Sequence, residues 1–132
     1  MEPEKRHCIT RIRICGKSIL RFVKHAKESG YVLELYYVGV DSADIAIERV
    51  HQRVKDGGHG VPDDDIVRRY SESLSRLLEI LPLCEKADLY DNTSTFNKVA
   101  VYQRGKWTQI ADTLPAWAER LHLFCFCYKR PE

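Results

Sequence analysis

Tyr31-Val-Leu-Glu-Leu-Tyr-Tyr-Val-Gly-Val40 sets the expected architecture of the chain. It is nearly continuous in apolar character and rich in β-branched and aromatic residues, the composition of a central parallel strand buried on both faces. Immediately upstream, Ile19, Leu20, Phe22, Val23 and Ala26 share one face at helical spacing between Ser18 and Ser29. Gly30 follows where helices commonly end in a left-handed residue. Further upstream, Ile12 and Ile14 alternate with Arg11 and Arg13, which predicts a strand over 9–14.

Downstream, Asp41 and Ser42 are candidate N-caps, and Ala43, Ala46, Ile47, Val50 and Val54 form the stripe of a helix that Gly57 and Gly58 end. Pro62 and the acidic run Asp63, Asp64 and Asp65 open a second helix, where negative charge offsets the helix dipole. Its stripe is Ile66, Tyr70, Leu74, Leu77 and Leu81, and Pro82 interrupts or ends it. Ala87 to Asp91 reads as a short strand, so strand, two helices and strand make one long crossover between parallel neighbours. Lys98 to Gln103 and Trp107 to Ala111 are strand-like runs around Arg104, Gly105 and Lys106, an antiparallel hairpin at a sheet edge. Leu114, Trp117, Leu121 and Phe124 then recur at helical spacing.

The sequence has 132 residues with 44% hydrophobic content, enough for one globular domain with a real core. A net charge of +2 asks for no nucleic acid or anionic membrane as partner, so any basic site must be local. Arg11, Arg13 and Lys17 suggest an RNA-binding reading, against which stand the balanced charge and a lack of interleaved surface aromatics. The five cysteines, Cys8, Cys15, Cys84, Cys125 and Cys127, are odd in number and lack CxxC spacing. They signal neither a disulfide framework nor a zinc site, and a cytoplasmic setting is expected. No run has the length of a signal peptide core or a membrane span.

The chemistry-bearing stretch is Arg49 to Tyr70, two arginine-carrying helices around a glycine-rich turn. If Gly57, Gly58 and Gly60 fold the second helix back on the first, Arg49, Arg53, Arg68 and Arg69 gather as a cluster suited to phosphate oxygens. The competing reading is a solvated helical hairpin with ordinary surface arginines. Three glycines around His59 suggest a moving hinge, with His59 either contacting phosphate or idle in the loop. Asp91, Asn92 and Thr93, at the end of a parallel strand, either face a nucleotide or make an Asx turn. Gly16-Lys17-Ser18 spells the end of a phosphate-binding loop, but Arg11 stands where its first glycine belongs.

Gly30-Tyr-Val-Leu-Glu-Leu-Tyr-Tyr-Val-Gly-Val-Asp-Ser42, Ala46-Ile-Glu-Arg-Val50, Arg53-Val54, Gly57-Gly-His-Gly-Val-Pro62, Ile66-Val-Arg-Arg-Tyr70 and Leu89-Tyr-Asp-Asn92, in this order and spacing, resemble the C-terminal half of zeta-toxin-like P-loop kinases. That resemblance implies an ATP- and Mg-dependent phosphotransferase, its best-known relatives being toxins that phosphorylate UDP-N-acetylglucosamine. It implies that Arg53, Arg68 and Arg69 act as catalytic lid arginines on the transferring phosphoryl group. Arg49, His59, Asp91 and Asn92 would line the nucleotide.

The family's phosphate-binding loop and catalytic acid lie in an N-terminal portion with no counterpart here. The expectation is therefore a truncated kinase fragment, inactive alone, with a lid over about 49–70. The alternative is a non-enzymatic module that pairs with a separate N-terminal half or an antitoxin-like partner. The expected fold is α/β, a partial three-layer sandwich of the P-loop kinase type, mainly parallel, with a C-terminal antiparallel hairpin.

Overall fold

The computed structural model of the chain describes residues 18–127, with side chains through residue 123. The strand read at 9–14, Gly16 and Lys17, and the side chains of Cys8, Cys15, Phe124, Cys125 and Cys127 lie outside these described residues. In chain order the elements are α1 (Ser18–Glu28), β1 (Glu34–Gly39), α2 (Ala43–Lys55) and α3 (Asp63–Ile80), then a 3-10 turn at Leu81–Leu83. They continue with β2 (Lys86–Asp91), β3 (Asn97–Gln103), β4 (Lys106–Gln109) and α4 (Ala116–Cys127). Among the described residues each helix and strand read from apolar period has its counterpart, and Pro82 sits in the turn that closes α3.

Pairing departs from the expected sandwich. The strands lie in the order β1-β2-β3-β4, with β1 parallel to β2 and the other two pairs antiparallel. The mainly parallel, three-layer arrangement is thus corrected to a four-stranded mixed sheet. The reason is connection length, since α2 and α3 bridge β1 to β2 whereas short loops bridge the rest, and short loops permit only antiparallel neighbours. Arg104 and Gly105 alone make the β3–β4 turn, with φ of 52° and 80°. Two successive positive values match the twist of flanking strands.

Leu35 and Tyr37 of β1 pair with Ala87 and Leu89 of β2, and these with Tyr102 and Ala100 of β3, so they alternate onto one face. Helices α3 and α4 cover that face with Leu77, Trp117, Ala118 and Leu121. Helix α1 adds Ile19 and Val23 against Ile80 and Cys84. Helix α2 packs on α3 and buries no residue fully, so its expected stripe is half-buried at Ala43, Ala46, Ile47 and Val50 and exposed at Val54.

Strand β1 is likewise not buried on both faces. Among the described residues it lies at the edge of the sheet, and Glu34, Tyr36 and Val38 on its outer face are exposed. A nearly continuous apolar run misleads here because three of its members are tyrosines, whose polar tips tolerate water. On the same outer face Asp88 is only 3% exposed, held by Lys98 at 2.8 Å and Lys86 at 3.8 Å.

Candidate functional site

Because β1 and β2 are parallel, Gly39 and Asp91 end them side by side, and Asp41, Tyr70, Asp91, Thr93 and Trp117 gather at this edge. Asp91 Oδ1 accepts from Trp117 Nε1 at 3.0 Å and from Thr93 Oγ1 at 2.8 Å, while Oδ2 accepts from the Thr93 amide at 3.3 Å. The Asx-turn reading of Asp91 to Thr93 is thus the one the geometry supports. Thr93 Oγ1 in turn accepts from the Asp41 amide at 3.0 Å. Asp41 Oδ1 accepts from the Ala116 amide at 2.8 Å, which places a carboxylate on the first residue of α4, where helix-end charge favours it. Ser42 alone caps α2, its hydroxyl accepting from the Ile45 amide.

The helical hairpin is rooted at this same edge. Arg49 donates through Nη2 to the carbonyls of Asn92 at 2.8 Å and Thr93 at 3.0 Å. Tyr70 of α3 donates to the Val40 carbonyl at 2.8 Å. Burial pushes the Tyr70 phenol up, with the nearby Arg120 guanidinium opposing the shift. His51 and Asp63, 2.9 Å apart, join the two helices near the loop.

The glycine turn serves the helix ends. Gly57 has φ of 99°, its amide donates to Val54, and the Gly58 amide donates to Arg53, the pair of bonds that closes a helix on a left-handed residue. A Cβ on Gly58 would stand 2.7 Å from Arg53 Cγ and 3.0 Å from the Arg53 carbonyl. Two of the three glycines therefore have a local reason, and the hinge is not needed to explain them.

The four arginines have separate engagements. Arg49 is occupied by main-chain carbonyls, and Arg68 turns back on Asp65 at 3.2 Å within its own helix. Arg53 packs along Gly58, and Arg53 and Arg69 meet no carboxylate among the described residues. His59 is exposed in the loop, and Asn92 contributes its main chain, the amide donating to Gly39 at 2.9 Å. The edge is thus held by Asp41, Tyr70, Thr93 and Trp117, of which only Thr93 was weighed as a site residue, beside Asp91. An Asp two residues before a Thr was the one sequence signal for this network.

Among the described residues no three His, Cys, Asp or Glu side chains gather as a metal site. At the strand edge Asp91 is occupied through both oxygens and Asp41 through Oδ1. Among the described residues no helix is long and apolar enough to cross a membrane.

No family model matches the chain, and no solved structure matches it. A stretch of 57 residues, 43% of this chain, is 39% identical to an uncharacterized protein of Haemophilus influenzae. The match spans 41% of that protein's length.

Proposed function

We propose that this chain is a nucleotide-phosphate-binding fragment of zeta-toxin-like character that performs no phosphoryl transfer by itself. One observation carries the reading. The α2–α3 hairpin is anchored to the strand edge by Arg49 and Tyr70, while Arg53 and Arg69 keep their guanidinium groups clear of any described carboxylate. Two unneutralised guanidinium groups on an anchored hairpin suit an oligo-anion such as a triphosphate. Transfer needs a base within hydrogen-bond reach and a held metal. At the edge, Asp91 already accepts through both of its oxygens and Asp41 through Oδ1.

Equilibrium dialysis with labelled ATP tests the binding half, with binding expected in the parent and lost in Arg53→Ala/Arg69→Ala. Incubation with γ-labelled ATP and UDP-N-acetylglucosamine tests the other half, and no labelled sugar nucleotide is expected. Absence of ATP binding, or turnover above the background without protein, overturns the respective half.

A further inference from the structure

The even overall charge conceals a segregation. Residues 1–27 hold 8 of the 21 lysines and arginines and 2 of the 19 carboxylates, a net of +6, so residues 28–132 are net −4. No carboxylate occurs from Lys5 to Lys27. Among the described residues this basic stretch is α1, whose buried side chains, Ile19 and Val23, pack against Ile80 and Cys84. Arg21, Lys24, His25 and Lys27 are left exposed around the rest of the helix.

The described fold does not neutralise them. Among the described residues none of the four meets a carboxylate at ion-pair distance, and Glu28, the last residue of α1, pairs with none of them. Glu79 and Glu85, next in sequence to the Ile80 and Cys84 on which α1 packs, are held by Arg76 at 3.1 Å and Arg104 at 2.6 Å. An aromatic ring stands among these cations. Spacing groups Phe22 with Ile19 and Val23, yet one residue turns the helix by about 100°, and Phe22 is 51% exposed beside Arg21 and one turn before His25.

Arg21, Lys24 and Lys27 step along the helix axis by about 4.5 Å each, which suits a chain of phosphates better than a single one. An anionic bilayer fits less well. A helix lying in a membrane interface buries a whole apolar stripe in lipid, and α1 already uses its stripe on the core. A single strand asks only for cations along its backbone and a flat ring on which a base can stack.

We propose that α1 binds single-stranded nucleic acid, with Arg21, Lys24 and Lys27 against successive phosphates and Phe22 as the platform for a base. Contacts of this kind tolerate sequence. The site is separate from the arginine hairpin, since Arg69 stands about 16 Å along α3 from Ile80.

The test is fluorescence anisotropy of the full chain with labelled uridine and thymidine homopolymers of about 15 nucleotides, a length within the site size of single-strand binders. Saturable binding to at least one is expected, and three phosphate contacts imply a loss of about 20-fold between about 50 and about 200 mM salt. Arg21→Glu/Lys24→Glu should weaken binding about 10-fold or more and flatten that salt dependence. Phe22→Ala should weaken it by about 5-fold or more, while Arg53→Ala/Arg69→Ala should leave it unchanged. All three substituted α1 side chains are exposed, and unchanged circular dichroism confirms that the variants fold. No binding at about 50 mM salt, equal binding of a duplex of the same length, or indifference to the charge reversal or to Phe22→Ala overturns the proposal. So does co-sedimentation with phosphatidylglycerol vesicles by a chain that ignores both homopolymers, since α1 would then be a membrane contact.

Discussion

Substituting Gly39 by Ala places one methyl group against Trp117, the largest fully buried side chain among the described residues. A Cβ there stands 2.5 Å from Trp117 Cε2 and 2.8 Å from both Cδ2 and Cζ2. Trp117 is 1% exposed and its indole nitrogen is bound to Asp91 at 3.0 Å, so the ring has nowhere to go without breaking that bond. Elsewhere in a strand, replacing Gly by Ala stabilises by about 0.5–1 kcal/mol through the unfolded chain. Forcing a methyl into a filled core costs about 1–3 kcal/mol, and losing a hydrogen bond to a carboxylate about 1.5–3 kcal/mol. The clash wins, and a net loss of about 2–4 kcal/mol is expected, a large share of the roughly 5–15 kcal/mol that holds a domain.

Urea denaturation followed by tryptophan fluorescence and far-ultraviolet circular dichroism measures the loss directly. The mechanism is checked by Trp117→Phe, which removes the ring that Gly39 faces. In that background Gly39→Ala should cost at least about 1 kcal/mol less, the sign of coupling between touching groups. A Gly39→Ala protein within about 0.5 kcal/mol of the parent, or an equal cost in both backgrounds, would refute the close approach of indole and backbone.

Burial, with the Tyr70 phenol beside it, pushes Tyr37 from 10.0 up to about 12. The native state then keeps a proton that the unfolded chain releases, so this stability is complete below pH 10 and is lost as pH rises toward 12. The loss is about 3 kcal/mol at most, and Tyr37→Phe should flatten urea midpoints measured over that window. Burial also pushes the Cys84 thiol to about 11, opposed by Lys27. At pH 8 its thiolate fraction is about 0.1%, so peptide-level mass spectrometry should find Cys84 unmodified by iodoacetamide until urea unfolds the chain. Tyr70→Phe removes the donor to the Val40 carbonyl and should cost about 1 kcal/mol. Hydrogen exchange should then quicken in α2 and α3 more than in β2.

Element types and most boundaries were legible because apolar period is local. Ile66, Leu77 and Trp117 fall on the faces their spacing implies, and all three are buried. Strand neighbours were less legible. The parallel β1–β2 pair followed from the long crossover, but an overall parallel sheet was inferred from the resemblance and from β1's apolar run. Tyr36 and Val38 within that run face outward, and no local pattern separates an exposed tyrosine from a buried one. The same ambiguity hid the aromatics of the outer face, since Tyr36 and Tyr90, 54 residues apart along the chain, come to one face only through strand register, and Phe96 stacks on Tyr90. Arginine engagement was illegible for a related reason. Arg49 finds carbonyls 43 and 44 residues away, which no spacing on its own helix announces.

The edge where β1 and β2 end is the place where an α/β sheet usually holds a ligand. In this chain the polar groups at that edge bind one another. Asp91 takes Trp117 and Thr93, Thr93 takes the amide of Asp41, Asp41 takes the start of α4, and Arg49 takes the two carbonyls of the loop. A ligand that sought these groups would have to displace several bonds worth about 1 kcal/mol each before gaining any of its own. That cost favours rigidity over chemistry at the strand ends and makes Asp91 a support for Trp117. Arg53 and Arg69 stand outside the network, so a phosphate can reach them without dismantling the edge. On the function proposed above, binding and catalysis separate on physical grounds, because Arg53 and Arg69 meet no described carboxylate whereas Asp91 is held through both of its oxygens.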